Sequence, residues 1–123
     1  MPWERSSPEL IATFAVVAPG GPGVERRQMF GYPCCFANGN MFMGLHEQRF
    51  ILRLPPGQHA ELLAAGGSQF EPVAGRPMRG YAALPAAVVA DRDALKAWVD
   101  RAFTHALSLP PKEKKAPRRK QAE

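Results

Sequence analysis

Apolar residues Leu10, Ile11, Phe14 and Val17 recur three and four positions apart, the spacing that places side chains on one helix face. Ser7, Pro8 and Glu9 stand just ahead of them as N-cap, first-turn proline and first-turn acid, so the pattern predicts a helix through about Val17 with those four residues buried. The run Ala18-Pro19-Gly20-Gly21-Pro22-Gly23 ends it in a loop. Val24 to Phe30 is then expected as a strand, with Gly31-Tyr32-Pro33 turning the chain.

The clearest local signal is Asn38-Gly39, which favours a two-residue type I′ hairpin and pairs Ala37 with Asn40, Cys35 with Phe42 and Cys34 with Met43. Paired residues project to the same side of a sheet. One face therefore carries Cys34, Phe36, Met41, Met43 and Leu45, all apolar, and the other carries Cys35, Ala37, Asn40, Phe42, Gly44 and His46. A second hairpin turning at Glu47-Gln48 pairs Leu45 with Phe50 and Met43 with Leu52, which adds Phe50, Leu52 and Leu54 to the apolar face.

Pro55 and Pro56 start a short helix that covers the sheet with Leu62 and Leu63 and stops at Gly66-Gly67. Gln69 to Val73 and Met78 to Leu84 are expected as strands around the turn Ala74-Gly75-Arg76-Pro77, and Pro85 blocks extension. The last helix, capped by Asp91 or Asp93, buries the stripe Leu95, Trp98, Val99, Ala102, Phe103 and Ala106 and ends before Pro110. This order lacks the alternation of strand and helix that builds parallel sheets. It predicts a two-layer α+β domain with an antiparallel sheet of five or six strands and three helices, ordered α-β(3-4)-α-β(2)-α.

Composition adds a boundary. Residues 110–123 hold Lys112, Lys114, Lys115, Arg118, Arg119 and Lys120 against two glutamates and contain no large apolar residue. Such a segment does not offset its ordering entropy, so a folded domain over 1–109 and a disordered basic tail over 110–123 are expected. The body is nearly neutral, with ten basic and nine acidic residues. The apolar runs fall short of the roughly 20 residues of a membrane span, and the start lacks a signal-peptide plan, so a cytoplasmic protein is expected. Cys34 and Cys35 are adjacent, which fits free thiols rather than a disulfide framework or a zinc pair.

Few residues suggest chemistry. Cys35 shares its expected face with His46, a pairing that nucleophilic catalysis requires, but no oxyanion site or activating charge accompanies it. Cys34, Cys35, His46 and His59 are poor candidates for one metal ion, because adjacent strand cysteines point to opposite faces. His105 is expected at the surface near a helix C-terminus. No glycine-rich phosphate loop is present. Neither a catalytic residue nor a cofactor or metal site is therefore expected.

Several short elements in order carry a resemblance: Met29-Phe30-Gly31, the hairpin Phe36-x-Asn38-Gly39-x-Met41-Phe42, Leu52-x-Leu54, Pro77-Met78-x-Gly80-Tyr81, Leu84-Pro85 and Leu95-x-x-Trp98. Together, from about Val24 to Ala106, they resemble the TfoX/Sxy N-terminal domain family. The resemblance implies an α+β fold and a relation to regulators of bacterial competence, and it brings no established catalytic residues. Only the basic tail follows Leu109, so a stand-alone N-terminal-type domain is expected.

The resulting expectation is a non-enzymatic interaction or regulatory module. Its contact surface is the outer sheet face, with Cys35, Phe42, His46, Ile51 and Arg53, used for a protein partner or a homodimer. The alternatives are weak, nonspecific nucleic-acid contact through the six basic tail residues and a small enzyme or ligand binder using Cys35 and His46.

Overall fold

The computed structural model describes residues 4–73 and 75–111. Ser7 caps α1 (Pro8–Val17) as its sequence predicts: its side chain accepts a hydrogen bond of 3.1 Å from the Leu10 amide. Phe14 and Val17 are buried and Leu10 packs against the core, but Ile11 is exposed because the helix turns only a narrow stripe inward. The segment before the helix is tied to the sheet. Ser6 donates to the Glu47 carbonyl, the Ser7 amide donates to the Gln48 side chain, and Tyr32 donates to the Glu4 carbonyl.

Six strands follow among the described residues: β1 (Val24–Met29), β2 (Tyr32–Ala37), β3 (Asn40–His46), β4 (Arg49–Arg53), β5 (Ser68–Gln69) and β6 (Tyr81–Ala83). They form one antiparallel sheet in the order β1-β2-β3-β4-β6-β5. Among the described residues the helices are α1, α2 (Pro56–Ala64), the short α3 (Ala86–Ala90) and α4 (Arg92–Ser108), four rather than the expected three. Asp91 caps α4 by accepting from the Ala94 amide at 3.2 Å. The two-layer α+β arrangement is as read from the sequence.

Two strand boundaries differ from expectation. Tyr32 and Pro33 lie in β2 rather than in a turn, because Phe30 and Gly31 make the turn themselves with φ of 56° and 85°. The expected strands 69–73 and 78–84 shrink to β5 and β6, because most of the chain between them crosses the outer sheet face instead of extending the ladder.

The main correction concerns register. Asn38-Gly39 does pair Ala37 with Asn40 and Phe36 with Met41, but Cys35 then faces Met43 and Cys34 faces Gly44. Phe42 is an extra residue, a β-bulge, so Phe42 and Met43 both turn toward the helices and every β2 side chain falls on the face opposite to the expected one. Cys35, Ala37, Phe42 and Met43 are fully buried in the main core with Leu45, Phe50 and Leu52. The α4 residues Leu95, Val99, Ala102 and Ala106 cover them, and the Phe42 and Phe103 rings meet with centroids 5.3 Å apart. A regular ladder would leave Phe42 on the outer face. Burying a side chain of that size contributes about 1.5–3 kcal/mol, more than the roughly 1 kcal/mol of a lost ladder hydrogen bond. The pairings Leu45 with Phe50 and Met43 with Leu52 stand as expected.

This register predicts that Phe42→Ala destabilises the domain by about 3–5 kcal/mol in urea unfolding. Phe36→Ala, on the opposite face, costs less than half as much. The regular register predicts the reverse order.

Candidate functional site

The outer face, opposite the helices, presents Cys34 and Phe36 from β2, Met41, Gly44 and His46 from β3, Ile51 and Arg53 from β4, and Tyr81 from β6. The segment between β5 and β6 folds over part of it. The Phe70 amide donates to the Tyr81 carbonyl at 3.1 Å and the Met78 amide to the Phe70 carbonyl at 2.9 Å, which brings Phe70 onto Ile51 and Ala83 in a second, smaller core. Met78 and Tyr81 pack against that cluster.

Between this segment and the tip of the β1–β2 hairpin lies an almost wholly apolar pocket of about 280 Å³. Met29, Phe30 and Tyr32 form the hairpin wall; Phe70, Val73 and Met78 form the opposite wall. Its floor is the sheet at Cys34, Met41 and Gly44, closed at one end by His46 and Ile51. Gly44 is there for space rather than for backbone freedom. A Cβ at that position would lie 3.2 Å from Met41 Cε, 3.3 Å from Cys34 Cβ and 3.5 Å from the Pro33 carbonyl oxygen.

His46 sits at 6% exposure between two aromatic rings, Tyr32 and Phe70, each with its centroid 5.3 Å away. Burial pushes its imidazole below the ordinary value; Glu47 opposes the shift and Arg49 adds to it. The ring is therefore neutral at physiological pH. Burial likewise raises the Cys34 thiol, against the opposing pull of Arg27, and pushes the Cys35 thiol up to about 11, so both stay protonated near neutrality. Cys34 Sγ lies 3.5 Å from the Arg27 carbonyl oxygen.

These positions correct the expected contact surface. Cys35 and Phe42 are inside the core, as the bulge requires, and neither reaches a partner. Cys35 and His46 lie on opposite faces and do not form a nucleophile–base pair; Cys34 is the cysteine that shares the pocket with His46. Ile51 and His46 do face outward but are buried beneath the crossing segment and the hairpin wall. Arg53 is half-buried with its guanidinium 5.8 Å from the Tyr81 ring centroid. A homodimer through Phe42 and Ile51 has no exposed side chain to use, and the β1 edge carries Glu25, Arg26 and Arg27, charges that oppose pairing with another strand.

His105 is half-buried rather than at the surface; burial and Arg53 both lower its pKa. His59 Nε2 is 3.4 Å from the Tyr81 carbonyl oxygen. Lys112, Lys114, Lys115, Arg118, Arg119 and Lys120 lie outside the described residues. The pocket residues that sequence reasoning missed are Met29, Phe30, Met41, Gly44, Val73 and Met78. The available signal was Phe30-Gly31: an X-Gly pair between two strands is itself a two-residue turn, and it brings Phe30 to the tip.

His46 generates a pH prediction. Its folded pKa lies below the unfolded value near 6.5, so below that pH the unfolded chain binds more protons and stability falls as the medium is acidified through this window. His105 acts in the same direction. Urea unfolding at pH 7.5 and 5.5 therefore shows a larger loss of stability for the wild type than for His46→Phe, which retains His105. Equal losses in the two proteins would remove His46 as a contributor.

A comparison with curated proteins gave no match. Residues 15–106, from the last turn of α1 nearly to the end of α4, match the family model described as TfoX N-terminal domain. That match spans all six strands and every residue that lines the pocket, and the chain belongs to the TfoX N-terminal domain family.

Proposed function

We propose that this domain is a non-enzymatic interaction module, regulatory in character, that captures a protein partner at the apolar pocket on its outer sheet face. The observation that carries this reading is Phe30. Two hairpin turns share one backbone geometry: Asn38-Gly39 has φ of 50° and 84°, and Phe30-Gly31 has 56° and 85°. Asparagine suits the left-handed region. A bulky aromatic residue there is a rare outlier costing roughly 1–2 kcal/mol.

Phe30 is also 77% exposed, so the same residue leaves a large apolar surface in water. A local rule broken twice at one position, at the mouth of a pocket, supports a role in binding. Met29 and Val73, both exposed, continue the apolar rim around the opening. The protonated thiols and neutral imidazole support binding rather than catalysis, and the two free cysteines agree with a reducing compartment such as the cytoplasm.

The test separates stability from binding. Phe30→Asn raises stability by about 1 kcal/mol in urea unfolding, because it relieves the turn. Peptides selected from a random display library on the wild-type domain lose at least tenfold in affinity on Phe30→Asn and on Val73→Glu. Selected peptides that bind both variants unchanged, or a variant Phe30→Asn destabilised by more than about 1 kcal/mol, would contradict the proposal.

A further inference from the structure

We infer that the pocket is shaped for an aromatic side chain, presented by a partner segment with acidic residues beside it; this rests on the interaction reading above and names the partner's chemistry. The first argument is the sulfur content of the walls. Of five methionines in the chain, Met29, Met41 and Met78 line this one pocket, and the Cys34 thiol joins Met41 in its floor. Thioether and thiol sulfur are polarizable and favour contact with ring edges and faces over contact with aliphatic groups.

The second argument is the ring stack at the closed end. Tyr32, His46 and Phe70 already follow one another at centroid spacings of 5.3 Å, tilted and edge-on. A ring entering beside them continues an arrangement that aromatic groups prefer. The third is size. At about 280 Å³ the pocket holds one side chain or a small bicyclic ring and is too small for a helix face. Gly44 keeps the floor open to a flat group, since any side chain there would press on Met41 and Cys34.

Charge decides the flanking residues. The interior holds no ionised group, as His46 is neutral and Cys34 protonated. Around it, Arg27 stands on β1 opposite Cys34, Arg53 follows Ile51 by two residues on the same face, Arg76 bridges to Val73, and Arg79 adjoins Met78. Glu25, Glu71 and Glu47, which follows His46 and is answered by Arg49, are the acids of this region, and Glu25 is held by Arg27 at 2.6 Å. The rim is therefore basic around an uncharged interior, complementary to an aromatic residue flanked by aspartate or glutamate.

The experiment uses the full chain labelled at its methionine methyl groups, titrated at low salt with three capped pentapeptides. One has a central tryptophan between aspartates, one a central leucine between aspartates, and one a central tryptophan between lysines. The tryptophan–aspartate peptide is expected to bind at least fivefold more tightly than either of the others. It is also expected to shift the Met41 and Met78 methyl resonances by ring current while sparing Met43, which is in the core. Gly44→Ala, checked for folding by circular dichroism, is expected to weaken this peptide at least fivefold.

Equal binding of the leucine peptide at the same methyl groups would overturn the aromatic preference and leave the interaction reading standing. Equal binding of the lysine-flanked peptide would overturn the acidic requirement. Free indole binding as tightly as the best peptide would assign the pocket to a small aromatic molecule and overturn the partner segment. If no peptide moves Met41 or Met78, both the inference and the interaction reading fail.

Discussion

Between Phe36 and Cys35 the facing strand advances by two residues, from Met41 to Met43, and this one insertion sets the face of every β2 side chain. Phe42 and Met43 both enter the helical layer, where Phe42 meets Phe103 and the main core closes over α4. Cys34 and Met41 are thereby placed on the opposite face, over the gap at Gly44. The same event completes the core and opens the pocket. A regular ladder would place Phe42 outside and Met41 inside, and the pocket would lose its floor.

The second face is finished by segments distant in sequence. The chain from Phe70 to Met78 returns over Ile51, and the Phe30-Gly31 turn rises on the other side. Burial of His46 among rings keeps the closed end neutral. Such a site offers shape, polarizable sulfur and apolar surface, the features on which the proposed interaction role rests.

Features governed by nearest neighbours were legible in the sequence. Ser7 and Asp91 cap their helices, Asn38-Gly39 turns its hairpin, the alternation of Leu45, Phe50 and Leu52 marks the core side, and the α4 stripe follows the helical period. The bulge was not legible. Cys34 to Ala37 and Met41 to Met43 are unbroken apolar runs, so no polar residue marks which side faces water, and two registers satisfy the pattern equally. Phe30 was read as the end of a strand because phenylalanine is not a turn residue, and the cue of the following Gly31 was outweighed; the observed positive φ places Phe30 in the turn. The pocket joins residues about forty positions apart, a juxtaposition that local periodicity does not carry.

The bulged register is the claim on which the rest stands, and methyl nuclear Overhauser contacts read it directly. The account predicts that the Met41 ε-methyl contacts the Gly44 α-protons and Cys34, while the Phe42 ring contacts Phe103 on α4. Contacts from Met41 to Leu95 or Val99, with Phe42 facing away from α4, would contradict it and remove the pocket floor.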